Sequence, residues 1–170
     1  MDVIEHCILA TDLALHFRHA PAISNLALKV KMEDHTLTAA FLQQSGNREL
    51  VQAAMMTAAD LGHSTKPWEV HQHVSHLAAE EFWHQGDLER DEFNTDPPPL
   101  LDRKVALEQV QIQFLDDICL SLYTDMSRFS SALEPLLQGC LANRQRWINL
   151  KSSSQADSRS ETGEEHARNL

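Results

Sequence analysis

The sequence predicts an all-α protein, a compact bundle of several helices. Apolar residues recur at steps of three and four along most of the chain, as in helices with one buried face, and no alternating strand pattern is strong enough to predict a sheet. With only 5 Gly and 6 Pro in 170 residues, long helices meet few interruptions. A chain of this length corresponds to about one domain. We therefore predict one helical domain over residues 1–150 and a disordered tail over 151–170.

Composition excludes several classes of function. A net charge of -11 argues against binding to a nucleic-acid backbone, so no nucleic-acid partner is expected. No apolar run of about 18 residues occurs, and no signal segment is visible at the N-terminus, so we expect no transmembrane segment. Cys7, Cys119 and Cys140 are odd in number and widely spaced. They are typical of reduced core residues, which predicts a cytoplasmic protein.

The first helix is predicted over residues 1 to about 18. Its apolar stripe consists of Ile4, Ile8, Leu9, Leu13 and Phe17. Pro21 is expected to end this helix or to open the next, a short helix over 22–30. Because no capping residue precedes the pattern, which begins in mid-helix, we expect that something upstream is missing.

The stretch over residues 57–68 is the one on which the functional interpretation depends. Residues 50–56 are apolar nearly all round and predict a buried helix, which Asn47 can cap and which ends at Asp60. A carboxylate at the end of a buried helix is costly unless a positive charge meets it. An ion pair with Lys or Arg and a bound metal ion both satisfy this requirement, and the ion pair is the more common arrangement.

A second long helix is predicted to begin at Pro67 and to end at Gly86. It carries a cluster of histidines, His71, His73 and His76. Because no third convergent ligand is apparent, we interpret them as surface residues. The run over 87–92 is charged and is interpreted as a solvated face.

A stiff extended loop is predicted at Asp96-Pro97-Pro98-Pro99. It is either a linker or the rim of a pocket. In the second case Leu100 and Leu101 would point back at that pocket.

The next long helix, predicted over residues 105–126, carries a candidate recognition pair. Gln111 and Phe114 are three residues apart and therefore share a face. An amide can read the edge of a base by paired hydrogen bonds while a ring stacks on its plane. A glutamine on a half-buried helix is nevertheless more often structural, and Gln113 points elsewhere. A last helix is predicted over residues 130–150, with Trp147 as a core residue near its end.

Together these motifs resemble the catalytic domain of class I 3',5'-cyclic-nucleotide phosphodiesterases. The likeness covers roughly residues 1–148. The residues at 66–68 and 81–83 resemble most closely the branch of the family that hydrolyses cGMP or both nucleotides. The matching stretches, in family order, are 8–14, 56–61, 65–68, 81–87, 101–103, 111–114 and 143–147.

The resemblance implies a compact all-helical fold in which two divalent metals, zinc and magnesium or manganese, activate a hydroxide that attacks the cyclic phosphate. Asp60 matches an aspartate that binds the first metal. Gln111 matches the glutamine that hydrogen-bonds the purine, and Phe114 the ring that clamps it. Ala78 matches the apolar residue on the side of the base opposite this ring. Leu13, Phe82 and Leu100 match apolar positions that line the pocket.

The chain also departs from the family pattern. The other metal ligands and the general-acid histidine of the family lie upstream of the region matched here, so no catalytic residue is expected within this chain. Ala78 is smaller than usual, which would loosen the clamp on the base, and His63 stands where relatives carry smaller or amide residues.

We therefore expect an incomplete catalytic domain, inactive alone, of an enzyme that hydrolyses cGMP, cAMP or both to the 5'-monophosphate. A homodimer of the full-length protein is compatible with this interpretation. The alternative is a non-catalytic helical interaction module, a truncated form that pairs with a partner through exposed apolar surface.

Overall fold

The computed structural model describes the backbone of residues 3–32, 39–44 and 46–168, and the side chains of 3–30, 41–44 and 46–154. Within these residues the chain is helical and contains no strand, so the predicted all-α class is confirmed. The helices are α1 (Val3–Leu9), α2 (Leu13–Met32), α3 (Ala39–Gln43), α4 (Asn47–Asp60), α5 (Trp68–Phe93), α6 (Leu107–Phe114), α7 (Leu120–Phe129) and α8 (Glu134–Arg168). None of the helices in the described ranges combines the length and apolar character that a membrane span requires.

The chain divides into two compact units. The first unit comprises Met1–Pro67 and Leu115–Leu141, and the second comprises Trp68–Phe114 and Ala142–Leu170. Each unit is described separately below.

The single N-terminal helix that the sequence predicts is two helices in the structure. α1 ends at Leu9, and Asp12 caps the start of α2 by accepting a hydrogen bond from the Ala14 N–H at 2.8 Å. Pro21 lies inside α2 and does not end it, so that prediction is wrong. The helix continues because both halves pack: His16 is buried before the proline, and Ile23 and Leu26 are buried after it. Tertiary packing of this kind outweighs local propensity.

The core of the first unit lies where α2 packs against α4 and α7. A buried polar contact adds to it, because the Asp125 carboxylate on α7 accepts hydrogen bonds from the Ser24 hydroxyl of α2 and from Arg128. The largest buried apolar residues of these helices are Ile23, Leu26, Val30, Val51, Leu122, Tyr123, Met126 and Phe129.

The core of the second unit is built around Trp147. This residue is 1% exposed, as predicted, and its indole N–H donates to His71 Nε2 at 2.8 Å. Trp68 packs edge-on against it with the ring centroids 4.9 Å apart. The prediction of a surface His71 is therefore wrong: a buried indole requires an acceptor, and a histidine at this position of α5 supplies one.

Gly86 does not end α5, which continues to Phe93. Instead, the glycine permits a close approach. A Cβ atom on Gly86 would lie 2.1 Å from the Leu101 carbonyl oxygen, so only glycine leaves room for the loop that crosses α5 here. The helix passes through the glycine because the packing gain outweighs its low helix propensity.

The predicted long helix over 105–126 is also divided. α6 ends at Phe114, a π-helical turn covers Leu115–Cys119, and α7 follows. Single π turns of this kind occur often at functional sites. At the C-terminus, the backbone of α8 is helical to Arg168 and so runs through most of the range predicted as a disordered tail. The division into a domain over 1–150 and a tail over 151–170 stays a prediction.

Replacing Gly86 by alanine should destabilise the chain by about 1–3 kcal/mol, because the methyl group would be forced into the Leu101 carbonyl. Urea unfolding measures this loss. The matched control is Gly62→Ala, since a Cβ there meets nothing within 4 Å. Equal stability of the two variants would contradict the close approach.

Stability should also depend on pH through His16. Burial lowers the pKa of His16 below its usual 6.5, and nearby His19 lowers it further, against the opposing effect of Asp125. The unfolded chain therefore binds more protons than the folded chain as the pH falls through 6.5, and the free energy of unfolding should decrease.

Urea unfolding at about pH 7.5 and about pH 5.5 tests this linkage, with stability expected to fall at the lower pH. The drop should shrink in His16→Phe and persist in His84→Gln, whose side chain is exposed. A drop of the same size in His16→Phe and the parent would contradict the assignment.

Candidate functional site

Asp60 is the last residue of α4, as the sequence predicts. The helix buries Val51, Ala54 and Thr57, but Asp60 itself is exposed. The expectation of a costly buried carboxylate is therefore wrong, because the helix turns its last residue to solvent. An exposed carboxylate needs no protein cation to be stable and is accessible to a bound ion.

The start of α4 also differs from the prediction. The N-cap position is Gly46, which adopts a left-handed conformation with φ 83°, and no side chain caps the helix there. Asn47 is the first helical residue, and its amide donates instead to the Phe41 carbonyl at 3.0 Å. Gly46 can occupy this conformation at no steric cost, which explains why the helix begins one residue after it.

The turn after Asp60 is held rigidly. Ser64 and Thr65 donate their hydroxyl groups back to the carbonyls of Leu61 and Gly62, at 2.7 and 2.9 Å. Gly139 of α8 approaches this turn so closely that a Cβ atom would lie 2.3 Å from the Thr65 carbonyl oxygen. The position of the chain immediately after Asp60 is thereby fixed.

His63 lies in this turn, close to Asp60. Burial lowers the pKa of His63 below its usual 6.5, and the Asp60 carboxylate opposes this effect. The imidazole is therefore neutral at neutral pH. A neutral His63 does not offset the negative charge of Asp60.

A cavity of about 610 Å³ lies beside the same turn within the first unit. Its size is within the range of small-molecule sites, and its wall is largely apolar. Asp60 is not among the described lining residues, which include Val51, Met55, Ala59, His63, Lys66 and Phe129.

Behind the turn, the first unit contains two buried thiols. Cys119 and Cys140 are both 0% exposed and share a hydrogen bond, and neither forms a disulfide. Cys7 is also free but only half-buried. The prediction of reduced core cysteines is therefore correct for the first two.

Gln111 and Phe114 lie on α6 in the second unit, three residues apart on one face. Gln111 is 8% exposed, and its Oε1 has no hydrogen-bond partner within the described part of the chain. Buried side-chain oxygens usually have a partner. Within the described residues, Ser75 Oγ is the other buried oxygen that lacks one. Phe114 is half-buried and directly precedes the π-helical turn, which the sequence analysis missed because no local pattern marks it.

The apolar residues predicted to line the pocket are divided between the two units. Ala78 and Phe82 lie one turn apart on α5, and Leu100 follows in the loop before α6. Phe82 and Leu100 are 40% and 42% exposed, so both present an apolar surface. These three belong to the second unit with Gln111 and Phe114, whereas Leu13 belongs to the first unit with Asp60.

The metal-ligating side chains that the structure describes are too few at any one place to bind a pair of metal ions. Among the residues that the structure describes, no three histidine, cysteine, aspartate or glutamate side chains come together in a metal-binding cluster. A catalytic metal needs about three protein ligands. Asp60 therefore fits the role of a single ligand and no more.

Comparison with known proteins shows the family of the chain. The family model described as 3'5'-cyclic nucleotide phosphodiesterase matches residues 1–140. The rod cGMP-specific 3',5'-cyclic phosphodiesterase subunit alpha of Mus musculus is 38% identical over 158 residues, which cover 91% of this chain and 18% of that protein. The cone cGMP-specific 3',5'-cyclic phosphodiesterase subunit alpha' of Bos taurus is 38% identical over 153 residues, or 87% of this chain and 18% of that protein.

A solved structure is similar as well. The structure of LmjPDEB1 in complex with IBMX aligns with a TM-score of 0.73 at 25% identity, covering 89% of this chain and 43% of that one. The chain thus spans less than a fifth of the curated relatives named above and under half of this solved structure.

Proposed function

The chain belongs to the 3'5'-cyclic nucleotide phosphodiesterase family, and we propose that it provides the purine-binding part of a protein that hydrolyses cGMP, cAMP or both. Family membership favours this enzyme hypothesis over the non-catalytic interaction module. The observation that carries the proposal is the buried Gln111 amide, whose Oε1 has no partner among the described residues.

A bound purine would supply the hydrogen-bond partner that the Gln111 amide oxygen lacks. An unsatisfied buried oxygen costs about 1–3 kcal/mol, which a hydrogen bond from the base would recover. The amide offers a donor and an acceptor, so it can pair with the edge of guanine or, when rotated, of adenine. Phe114, on the same face of α6, supplies a ring for stacking on the base.

Apolar residues of the second unit complete the proposed base site. Ala78 and Phe82 share a face of α5, and Leu100 lies in the loop that crosses the same helix. A short side chain at Ala78 leaves space on its side of the base. Leu13, which lies in the first unit, stays a proposed substrate-binding residue on the family resemblance alone.

For Asp60 we propose the role of one carboxylate ligand to a divalent metal. Its exposure and the neutrality of His63 support this role. The described residues do not supply the remaining ligands, so we derive no hydrolytic step from this chain. The proposal for the longer protein includes zinc with magnesium or manganese, a cytoplasmic location and a homodimer.

Cyclic GMP is the first ligand to test, because the rod and cone relatives are described as cGMP-specific. We expect Gln111→Met to weaken binding of cGMP by the 170-residue chain about tenfold or more, since the hydrogen bonds to the base are lost. Isothermal titration calorimetry measures the dissociation constant. Cyclic CMP, which has no purine, should bind the variant and the parent equally.

The matched control is Gln113→Met, which removes an exposed amide two residues away on the same helix. It should leave cGMP binding unchanged. Equal losses in the two variants, or no saturable binding by the parent chain, would contradict the proposed base site.

A further inference from the structure

Arg90, in the last turns of α5, joins the helix to the loop that carries Leu100. Its guanidinium lies 3.3 Å from the Asp87 carboxylate on its own helix and 3.1 Å from the Asp102 carboxylate in the loop. Asp96, at the other end of the loop, is 3.8 Å away. The planar fork of arginine can engage several carboxylates at once, which a lysine ammonium does less well.

The loop has further anchors next to Leu100. The Asp102 carboxylate also accepts a hydrogen bond from the Lys104 N–H at 3.0 Å, and Arg103 pairs with Asp87. The Lys104 N–H is the main cause of the lowered pKa of the Asp102 carboxyl, and Arg90 adds to it. The carboxylate therefore stays charged over the whole neutral range.

A single exposed ion pair would contribute little to stability. Here two arginines and three aspartates form a network, and the side chains of Arg90 and Asp102 are only 26% and 18% exposed. The network lies next to the Gly86 contact, because Asp102 directly follows Leu101, whose carbonyl lies against α5. Leu100 is thus bounded on its C-terminal side by two consecutive anchored residues, Leu101 and Asp102.

These contacts fix Leu100 relative to Phe82. Gly86 is one helical turn beyond Phe82, and residues four apart share a face of a helix. The anchored Leu101 carbonyl therefore holds Leu100 within about one turn of Phe82 along α5. Both side chains are assigned above to the wall of the base site.

We propose that Arg90 is a positioning residue for cyclic-nucleotide binding: it holds the loop over residues 94–106 against α5 so that Leu100 borders the purine. This inference rests on the proposed function. Arg90 does not touch the nucleotide in this arrangement and acts through Leu100.

Hydrogen exchange tests the holding of the loop without any ligand. In Arg90→Gln the amides of Leu101, Lys104 and Val105 should exchange faster, because their acceptors Pro98 O, Asp102 Oδ1 and Asp102 O belong to the same anchored loop. Arg90→Lys should restore part of the protection. The control Glu89→Gln, which alters a carboxylate bonded to Gln85, should leave these amides unchanged. Unchanged exchange in Arg90→Gln would overturn the proposal.

A double-mutant cycle tests the route through Leu100. Arg90→Gln and Leu100→Ala should each weaken cGMP binding about tenfold, the order of one apolar contact in a ligand pocket. The double variant should bind no more weakly than Leu100→Ala alone, since the two substitutions remove the same contact. A general loss of structure would instead give additive losses.

The outcomes separate the two claims. Additive losses in a chain that binds cGMP would overturn the positioning role and leave the proposed function standing. Absence of binding by the parent chain would overturn the proposed function and the positioning role with it. Thermal unfolding of each variant above the assay temperature excludes simple unfolding as the cause.

Discussion

Two close backbone contacts, one within each unit, hold the turn next to Asp60 and the loop that carries Leu100. In the first unit Gly139 lies against the Thr65 carbonyl and fixes the turn that follows Asp60. In the second unit Gly86 lies against the Leu101 carbonyl and fixes the loop that carries Leu100. In both cases a side chain larger than hydrogen would collide with a carbonyl oxygen. The helices can therefore place a turn and a loop with little freedom, which a binding site requires.

The proposed site depends on a buried amide oxygen that the described residues leave without a hydrogen-bond partner. Many buried polar groups of each unit are paired, such as the indole of Trp147 with His71 in the second unit and the hydroxyl of Tyr123 with the Ala58 carbonyl in the first. Among the described residues, the buried oxygens of Gln111 and Ser75 both lack a partner, and Gln111 shares a helix face with the ring of Phe114. An exception of this kind, on the same face as an aromatic ring, is better explained by a ligand than by a packing defect.

Sequence predicts those features that depend on local pattern. The end of α4 at Asp60, the shared face of Gln111 and Phe114 and the burial of Trp147 follow from helical spacing and side-chain type. It fails where a distant contact decides. Pro21 and Gly86 have the local character of helix ends. Buried residues on both sides of Pro21 keep α2 continuous, and the close approach of the Leu101 carbonyl at Gly86 accompanies the continuation of α5. The local sequence around His71 is typical of a surface histidine. Its burial follows from the hydrogen bond that it accepts from the distant Trp147 indole.

The site residues follow the same division. The roles proposed for Asp60, Gln111 and Phe114 come from the family resemblance, whereas the anchoring of the Leu100 loop by Arg90 is visible only in three dimensions. No spacing rule connects Arg90 with Asp102, because a loop of irregular backbone lies between them. The exposure of Asp60 also depends on how the end of α4 faces solvent, which the apolar pattern of the preceding residues does not reveal.

The central claim is that the purine of a cyclic nucleotide lies on the ring of Phe114. The most direct measurement is an isotope-filtered nuclear Overhauser experiment on the 170-residue chain with bound cGMP. We expect contacts between H8 of the guanine and the ring protons of Phe114. Bound cGMP whose guanine contacts only residues outside α5, α6 and the Leu100 loop would contradict it.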